Sequence, residues 1–324
     1  MDILSEIRKP VEKEFNDFLN LFKKVFNSDD VTLGNVLLHI GNRGGKHMRP
    51  LLLILIAKAY GDVNEKTKRA AVGVELLHTA SLVHDDVVDE SDKRRGQPSV
   101  NSLFNNKISV LVGDYLLSSS ISSFVDAENW QILRLMTEVC ATLSSGEILQ
   151  IENISNTEVS EETYYEIIYR KTASLFEACA GIGALSVNAS EDDIRKAKEL
   201  GKAIGMTFQI RDDIFDYYDS DAIGKPTGND MLEGKLTLPV IYAINNSNDE
   251  EMTVLVDKVK RGVANKEEIG RLVAFAKENG GIDYAYSKME EFTAQAKSIV
   301  NSIKEKAIRD ALTAYIDYVS KRTF

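Results

Sequence analysis

The longest interval without proline does most to limit how this chain can fold. The 324 residues contain only five prolines, and none lies between Pro98 and Pro226. Because proline is strongly disfavoured inside helices, this interval is free to be helical through most of its length. Apolar residues recur at steps of three and four, as on one face of a helix, at 68–90, 106–124, 130–151, 163–187 and 194–219. No stretch alternates in the manner of a strand. The sequence therefore predicts a single all-α domain over residues 1–324.

The composition limits where the protein acts and what it binds. The chain is 44% hydrophobic, but its longest apolar run, Leu51 to Ala57, is far too short to span a bilayer. The N-terminal MDILSEIRKP lacks the apolar segment of a signal peptide. The two cysteines, Cys140 and Cys179, are expected to be reduced, buried core residues of a cytoplasmic protein. A net charge of −11 argues against a nucleic-acid partner, so local cations must bind any anionic substrate.

Two acidic motifs point to a metal site. DDVVD (85–89) and DDIFD (212–216) each place three carboxylates on one edge of a predicted helix, within apolar sequence. Like charges in apolar surroundings are costly unless a cation lies among them. Carboxylate oxygens suit Mg²⁺, which usually also takes oxygens of a substrate phosphate. The candidate residues are Asp85, Asp86, Asp89, Asp212, Asp213 and Asp216. A single acidic triplet is usually a solvated helix face, but two with the same spacing favour a metal-diphosphate site.

Four cationic segments are candidates for binding phosphate. In GNRGGKHMRP (41–50), Gly44 and Gly45 allow a sharp turn before a helix that brings in Lys46 and Arg49. Arg94 and Arg95 follow the first acidic motif closely enough to fold back over it. Lys171 and Thr172 interrupt an apolar helix. The polar segment 224–239, with Lys225 and Lys235, is typical of a lid. For each segment, ordinary solvated charges are the alternative. His78 precedes Asp85 by two helical turns on nearly the same face, from which it can donate into a cavity.

These motifs resemble those of the trans-prenyltransferases, the (E)-isoprenyl diphosphate synthases. The resemblance runs in order from about residue 34 to 245 and rests on LLHTASLVHDDVVDESDKRRGQPSVN, FQIRDDIFDYY and GKPTGNDMLEGKLTLP. GGKHMRP resembles the GGK-x-x-RP of the family, with His47 where arginine is frequent. The resemblance implies antiparallel helices around a deep central cavity, usually in a homodimer. It also implies head-to-tail condensation of isopentenyl diphosphate with an allylic diphosphate.

The resemblance also implies a role for each candidate residue. Asp85, Asp89 and Asp212 would bind Mg²⁺ that bridges the allylic diphosphate, with Asp86, Asp213 and Asp216 in support. Arg94, Lys171 and Lys235 would hold the allylic diphosphate. Lys46, Arg49, His78 and Arg95 would hold isopentenyl diphosphate. Lys171, Thr172 and Gln209 would stabilise the allylic cation.

The sequence constrains the length of the product less than it constrains the reaction. Ala80 and Ser81 are small residues in the turn before Asp85, where short-chain members of the family often carry bulky aromatics. A helix of about 25 residues is roughly 37 Å long, which leaves room for a tail of about eight isoprene units. An octaprenyl-like product for quinone side chains is therefore expected, and Leu135 or Met136 are candidates for the floor of the passage. The alternatives are a short-chain (farnesyl or geranylgeranyl) synthase, a class I terpene cyclase and a regulatory subunit of a heteromeric synthase.

Overall fold

The computed structural model describes residues 3–42, 44–94, 96–156, 158–218 and 227–321, and these residues are mostly helical. The predicted all-α fold is confirmed. Within the described residues, β-structure is limited to one antiparallel pair, in which Lys93 lies opposite Pro98. The elements in chain order are α1 (Ile3–Arg8), α2 (Glu12–Lys24), α3 (Val31–Gly41), α4 (Met48–Tyr60), α5 (Glu65–Val88), β1 (Lys93–Arg94), β2 (Gln97–Pro98), α6 (Val100–Phe104), α7 (Asn106–Val125), α8 (Trp130–Ser155), α9 (Glu161–Ile168), α10 (Ser174–Ser186), α11 (Glu191–Phe215), α12 (Asn229–Leu232), α13 (Leu238–Asn245), α14 (Glu250–Lys260), α15 (Lys266–Glu278), α16 (Gly281–Val300) and α17 (Lys306–Lys321).

Each segment with helical periodicity corresponds to helix, and one of them is interrupted. The segments 68–90, 106–124, 130–151 and 194–219 correspond to α5, α7, α8 and α11. The segment 163–187 instead forms α9 and α10, which are joined by a π-helical turn at Tyr169–Ala173. Such turns inside helices are frequent at functional sites, and this one contains Lys171 and Thr172.

The chain falls into two compact units. The first comprises Met1–Thr137, Ala178–Lys198 and Ile303–Leu312. The second comprises Glu138–Glu177, Glu199–Ser302 and Thr313–Phe324. The single domain expected over residues 1–324 therefore stays a prediction.

The first unit contains α4 and α5, which carry the first candidate residues. Every residue from Leu51 to Ala57 on α4 is fully buried, as expected for a helix that is apolar on all sides. A capping box between Asn64 and Thr67 fixes the N-terminus of α5. Asn64 Nδ2 also donates to the carbonyl oxygen of Ser186 at 2.9 Å. These contacts position the helix that ends in DDVVD.

Two glycines let α5 and α7 pack closely within the same unit. A Cβ atom on Gly73 would lie 2.6 Å from the ring of Phe124, and a Cβ atom on Gly113 would lie 2.2 Å from Nε2 of His84. Neither contact leaves room for a side chain. Because His84 directly precedes Asp85, the second contact fixes α5 beside the acidic motif.

The second unit has its own apolar core and one buried lysine. One cluster of buried side chains includes Tyr217, Leu272 and Val259, and another forms around Ile210 and its neighbours on α9, α13 and α16. Lys260, the last residue of α14, is buried. Its Nζ donates to the carbonyl oxygens of residue 156 at 2.5 Å and residue 158 at 2.7 Å. Lys260 therefore ties the connection between α8 and α9 to the end of α14.

Among the described residues, α7 is the one helix long and apolar enough to cross a membrane. Of its most apolar 18-residue window, 39% is buried. The core helix of a soluble protein meets the same criteria of length and composition, so this helix is weak evidence for a span. It is nevertheless longer than the apolar run from Leu51 to Ala57.

The two cysteines differ in burial. Both are free thiols. Cys179 is buried, and burial raises its pKa to about 12, so its thiol stays protonated at neutral pH. Cys140 is only half-buried. The prediction of two buried core cysteines is therefore correct for Cys179 and wrong for Cys140, because the position of Cys140 on α8 remains partly open to solvent.

Candidate functional site

The first acidic motif lies at the carboxyl end of α5. The last turn of this helix has no basic residue, and carboxylates are disfavoured at the negative end of a helix dipole. The prediction of three carboxylates on one edge is wrong for Asp86, because successive helical residues point about 100° apart. Asp86 is fully buried, whereas Asp85 is half-buried and Asp89 is exposed. Asp85 and Asp89, four residues apart, still share an edge.

Asp86 binds Arg94, the arginine expected to hold the allylic diphosphate. Arg94 Nε donates to Asp86 Oδ1 at 2.6 Å, and the Asp86 side chain is 1% exposed. Asn101 Nδ2 donates to the Asp86 carbonyl oxygen at 3.1 Å. Within the described part of the chain, Asp86 Oδ2 is buried without a hydrogen-bond partner. Arg94, in β1, therefore folds back over the end of α5 as expected. Arg95 lies outside the described residues.

The second acidic motif repeats this arrangement at the carboxyl end of α11. The last turn of α11 also lacks a basic residue. Asp212 is half-buried, and the neighbouring Asp213 is buried. Asp213 accepts hydrogen bonds from Tyr164 Oη at 2.7 Å and Gln209 Nε2 at 2.8 Å. Burial and the nearby carboxylate of Asp230 raise the pKa of Asp213 to about 7, although the two hydrogen bonds oppose this shift.

Asp216 fixes the segment that follows the second motif. Its Oδ1 accepts from the backbone N–H of Asn229 at 2.9 Å, and its Oδ2 accepts from that of Asp230 at 3.1 Å. The backbone N–H of Gly228 donates to its carbonyl oxygen at 2.8 Å. Asp216 therefore holds the start of α12, inside the segment expected to form a lid. Lys225 of that segment lies outside the described residues.

The glycine turn and α5 enclose a cavity of about 370 Å³ in the first unit. Its polar wall contains Gly44, Gly45, His47, His78, Asp86 and Arg94, and its apolar wall includes Phe22, Phe26 and Leu82. Gly44 has a φ of 59°, a left-handed conformation that glycine adopts readily. Lys46 is exposed beside the turn.

His47 and Glu75 form a polar pair beneath the glycine turn. His47 has a φ of 47°, which is uncommon for a residue with a side chain. Its Nδ1 donates to Glu75 Oε1 at 2.8 Å, and Glu75 is buried. The ring of His47 also meets Phe18 and Phe22 edge-on. These contacts hold the residue that precedes α4 in its left-handed conformation.

Arg49 and His78 are joined directly. Arg49 Nη1 lies 3.0 Å from His78 Nε2. Because the guanidinium can only donate, His78 Nε2 accepts and its other nitrogen, Nδ1, carries the proton. The ring of His78 was expected to donate into a cavity. His78 lines the cavity, and its Nε2 positions Arg49. Donation into the cavity from Nδ1 stays a prediction.

The π-helical turn contributes to a second cavity, of about 200 Å³, in the second unit. Lys171 Nζ donates to Gln150 Oε1 at 2.9 Å and lies 2.8 Å from Glu147 Oε1. Thr172 Oγ1 donates to Gln209 Oε1 at 2.7 Å. The residues that line this cavity include Gln150, Tyr164, Lys171, Thr172, Gln209, Asp213, Asp230, Lys235 and Lys260. Lys235 Nζ also contacts Glu233 Oε2 at 2.7 Å. This unit therefore brings together the predicted cation-stabilising residues and two predicted diphosphate ligands.

The chain-length candidates lie in the first unit. Ala80 is buried and Ser81 is half-buried, with Ser81 Oγ donating to the carbonyl oxygen of His78 at 2.9 Å. Met136 is buried. A Cβ atom on Gly181 would lie 3.4 Å from Cδ2 of Leu135. Their roles in setting product length stay predictions.

The donor set of both motifs fits a hard divalent cation. Within the described residues, no three His, Cys, Asp or Glu side chains converge closely enough to hold a metal ion by themselves. Mg²⁺ is commonly held by one or two carboxylates together with water and substrate phosphate oxygens. In each motif, carboxylates lie at the carboxyl end of a helix whose last turn has no basic residue, and they can supply such a partial shell.

Three residues at these sites were not predicted from the sequence. Glu75 is an acid within the apolar run VELL and lies one helical turn before His78. Tyr164 lies two turns before Lys171, on the same face of its helical segment, a spacing that could have identified it. Lys260 lies beyond the last recognised motif, and its sequence carried no signal for a buried position.

The chain is similar in sequence and in fold to several known proteins. A family model described as polyprenyl synthetase matches residues 30–275. The octaprenyl diphosphate synthase of Haemophilus influenzae is 33% identical over 310 residues, which cover 95% of this chain and 94% of that protein. An all-trans-nonaprenyl-diphosphate synthase (geranyl-diphosphate specific) of Rhodobacter capsulatus is 34% identical over 316 residues, 96% of each chain. The crystal structure of a geranylgeranyl pyrophosphate synthase from Bacteroides thetaiotaomicron superimposes with a TM-score of 0.88 at 46% identity, covering 99% of this chain and 100% of that one.

Proposed function

Because this chain belongs to the polyprenyl synthetase family, we propose that it is a Mg²⁺-dependent trans-prenyl diphosphate synthase, which condenses isopentenyl diphosphate head to tail onto an allylic diphosphate. One observation carries this proposal. Each aspartate motif lies at the carboxyl end of a helix, beside basic side chains of the kind that bind diphosphate. Arg94 accompanies the first motif, and Lys171 and Lys235 share a cavity with the second. A terpene cyclase has no need for a second diphosphate site such as the glycine turn with Lys46 and Arg49.

The residues divide into those for the leaving group and those for the acceptor. Asp85, Asp89 and Asp212 would hold Mg²⁺, with Asp86, Asp213 and Asp216 in support. Bound Mg²⁺ supplies neutralisation of the diphosphate leaving group, so that the allylic C–O bond can ionise without an acid. Arg94, Lys171, Lys225 and Lys235 add positive charge around the same diphosphate. Lys46, Arg49, His78 and Arg95 bind isopentenyl diphosphate, and the contact of Arg49 with His78 aims the guanidinium.

The second cavity stabilises the charge that develops on the allylic carbon. Thr172, Gln209 and Lys171 lie together there. Oxygen atoms aimed at a developing cation act more strongly when water is excluded, and exclusion also prevents quenching to an alcohol. The double bond of isopentenyl diphosphate attacks the cation, and the released diphosphate takes the final proton. No tuned histidine is needed for that last step.

The test uses one aspartate from each motif. Asp85→Ala and Asp212→Ala should each lower turnover by orders of magnitude and leave the helical circular dichroism signal unchanged. Asp126→Ala is a matched control, because Asp126 lies at the end of α7, away from both motifs in the sequence, and its carboxylate pairs with the half-exposed Arg69. Near-normal turnover in either motif variant, or full turnover with excess chelator, contradicts the proposal.

For the product we propose a long-chain all-trans polyprenyl diphosphate, about octaprenyl, for quinone side chains. The small Ala80 and Ser81 support it, as do the octaprenyl and nonaprenyl relatives. A geranylgeranyl product is the second candidate, because the protein of that name shares 46% identity with this chain. Mass spectrometry of the product formed from farnesyl diphosphate and excess isopentenyl diphosphate separates the two. A product that stops at geranylgeranyl diphosphate rejects the long-chain proposal.

We also propose that the enzyme is a cytoplasmic homodimer that pairs through α7. The exposed apolar side chains of α7, spaced along one face of the helix, are Val110, Leu111, Tyr115, Ile121 and Val125. Such a face can pair with its own copy about a twofold axis. Leu111→Asp should shift the mass measured by light scattering from dimer to monomer, whereas Val254→Asp, at an exposed apolar position on α14, should not. A wild-type monomer refutes this pairing. The two free cysteines support the proposed location.

A further inference from the structure

A chain of three hydrogen bonds crosses the second cavity and ends at a tyrosine outside every motif considered so far. Tyr164 Oη lies 2.7 Å from Asp213 Oδ2. Asp213 Oδ1 lies 2.8 Å from Gln209 Nε2, and Gln209 Oε1 lies 2.7 Å from Thr172 Oγ1. All four residues line the same cavity of about 200 Å³.

The donors and acceptors of this chain can be assigned from chemistry. Burial and the carboxylate of Asp213 raise the pKa of Tyr164 well above its ordinary value, so the phenol keeps its proton and donates it. The hydrogen bonds from Tyr164 and Gln209 favour the ionised form of Asp213. In that form the carboxylate can only accept, so the amide nitrogen of Gln209 must face Asp213. The amide oxygen of Gln209 then faces Thr172, and the hydroxyl of Thr172 must donate to it.

These hydrogen bonds fix the orientation of the lone pairs on the Thr172 hydroxyl oxygen. A hydroxyl that gives its single proton to Gln209 has only lone pairs left for other neighbours. Thr172 lines the cavity next to Lys171. An oxygen held in this orientation presents negative charge to a cation and cannot donate a proton to it. If the donors and acceptors of these hydrogen bonds were exchanged, Thr172 would accept from Gln209, and its hydroxyl proton would be turned towards the cavity.

We propose that Tyr164 is a positioning residue, which fixes Asp213 and thereby holds the lone pairs of the Thr172 hydroxyl towards the allylic carbon as it becomes a cation. This inference rests on the proposed prenyl transfer and extends it to a residue that touches neither substrate. Tyr164 is buried, and its hydroxyl oxygen has Asp213 as its hydrogen-bond partner. Because the orientation matters only when charge develops on carbon, its loss should lower the rate of ionisation and leave substrate binding unchanged.

The experiment measures single-turnover rates with the full-length enzyme in excess over farnesyl diphosphate and with saturating isopentenyl diphosphate and Mg²⁺. Tyr164→Phe should lower this rate about tenfold, the usual effect of one hydrogen bond to a charged group. The Michaelis constants for both substrates should stay within about twofold of wild type. Tyr165→Phe is the matched control, because it also removes a tyrosine hydroxyl, one residue away. Tyr165 packs against Phe292 and is not a member of the hydrogen-bond chain.

Two variant backgrounds, compared with the wild type, distinguish a positioning role from a general loss of packing. In Thr172→Val the hydroxyl is absent, so adding Tyr164→Phe should have almost no further effect. In Thr172→Ser the hydroxyl is retained, so adding Tyr164→Phe should again cost about tenfold. An equal loss in all backgrounds, or equal rates for Tyr164→Phe and Tyr165→Phe, overturns the inference while the wild-type enzyme still condenses its substrates. A wild-type enzyme that forms no prenyl product overturns the proposed function and this inference together.

Discussion

Replacing Arg94 by alanine should destabilise the folded protein far more than removing an ordinary surface arginine. Asp86 is 1% exposed, and Arg94 lies at 2.6 Å from it. Without the guanidinium, a buried carboxylate would have lost its charge partner, and its Oδ2 already lacks a partner within the described residues. Breaking a fully buried pair in this way costs about 3–5 kcal/mol. Arg94 itself is 27% exposed, so water can partly replace it, and we expect about 2–3 kcal/mol.

The loss can be measured by chemical and thermal unfolding of the metal-free protein. A change of 2–3 kcal/mol corresponds to a decrease of roughly 3–4 °C in the unfolding midpoint for a chain of this size. Arg69→Ala is the control, since Arg69 lies 3.6 Å from Asp126 with both side chains substantially exposed. Such a pair contributes about 0–1 kcal/mol.

A double variant separates the structural and catalytic parts of this contact. Asp86→Asn combined with Arg94→Ala removes the buried charge with its partner, so it should recover most of the stability lost in Arg94→Ala. It should not recover turnover, because the cation proposed for the allylic diphosphate is still absent. If Arg94→Ala costs no more than Arg69→Ala, or if the double variant is no more stable than the single one, the reasoning is refuted.

Three further predictions follow from other contacts. Arg49→Ala should raise the Michaelis constant for isopentenyl diphosphate by about 10- to 100-fold, since one charged hydrogen-bonding group is lost, and should affect the allylic constant less; equal increases would show that the site assignment is wrong. Ser81→Phe should shorten the product seen by mass spectrometry and is a cleaner test than Ala80→Phe, because Ala80 is buried and a ring there costs about 1–3 kcal/mol of overpacking; an unchanged product distribution would exclude this path for the tail. The pKa of Asp213 is raised to about 7, so the folded protein keeps a proton that the unfolded chain releases near pH 4, and the free energy of unfolding should fall as pH rises through this window. Asp213→Asn should lose that fall when urea unfolding is compared at pH 5 and pH 8 in chelator, and an identical pH dependence in both proteins would contradict it.

The helices were predictable because their signals are local. Periodicity and the scarcity of proline gave α5, α7, α8 and α11 nearly complete, since an amphipathic stripe is read from the residues that form it. The π-helical turn at Tyr169–Ala173 was not predictable, because one extra residue in a turn leaves the apolar pattern almost unchanged. The close packing of α5 on α7 was equally hidden, since Gly73 and Gly113 show their purpose only beside Phe124 and His84.

The candidate site was predictable in its residue types and not in its pairings. The two aspartate motifs and the glycine turn are unusual enough to be recognised in one sequence. Which partner each residue binds depends on contacts between distant segments. Asp213 and Tyr164 are 49 positions apart, and so are linked only by the fold. Lys260 reaches carbonyl oxygens about a hundred positions away, and no local pattern encodes that contact.

The pairings give a physical reason for the doubled aspartate in each motif. Two adjacent helical residues point about 100° apart. One motif can therefore place one aspartate in the protein interior and the next one in a more exposed position. In each motif the second aspartate is buried and accepts a hydrogen bond from a residue proposed to act on the substrate. Asp86 accepts from Arg94, and Asp213 accepts from Gln209. The first aspartate, Asp85 or Asp212, is half-buried at the helix end, where a carboxylate is unfavourable without a cation. We therefore expect Asp86→Asn and Asp213→Asn to alter the position of these neighbours more than the affinity for Mg²⁺, and Asp85→Asn and Asp212→Asn to do the reverse. Metal titrations of the four variants would decide this, because similar losses of Mg²⁺ affinity in all four would show that both aspartates of each motif face the ion.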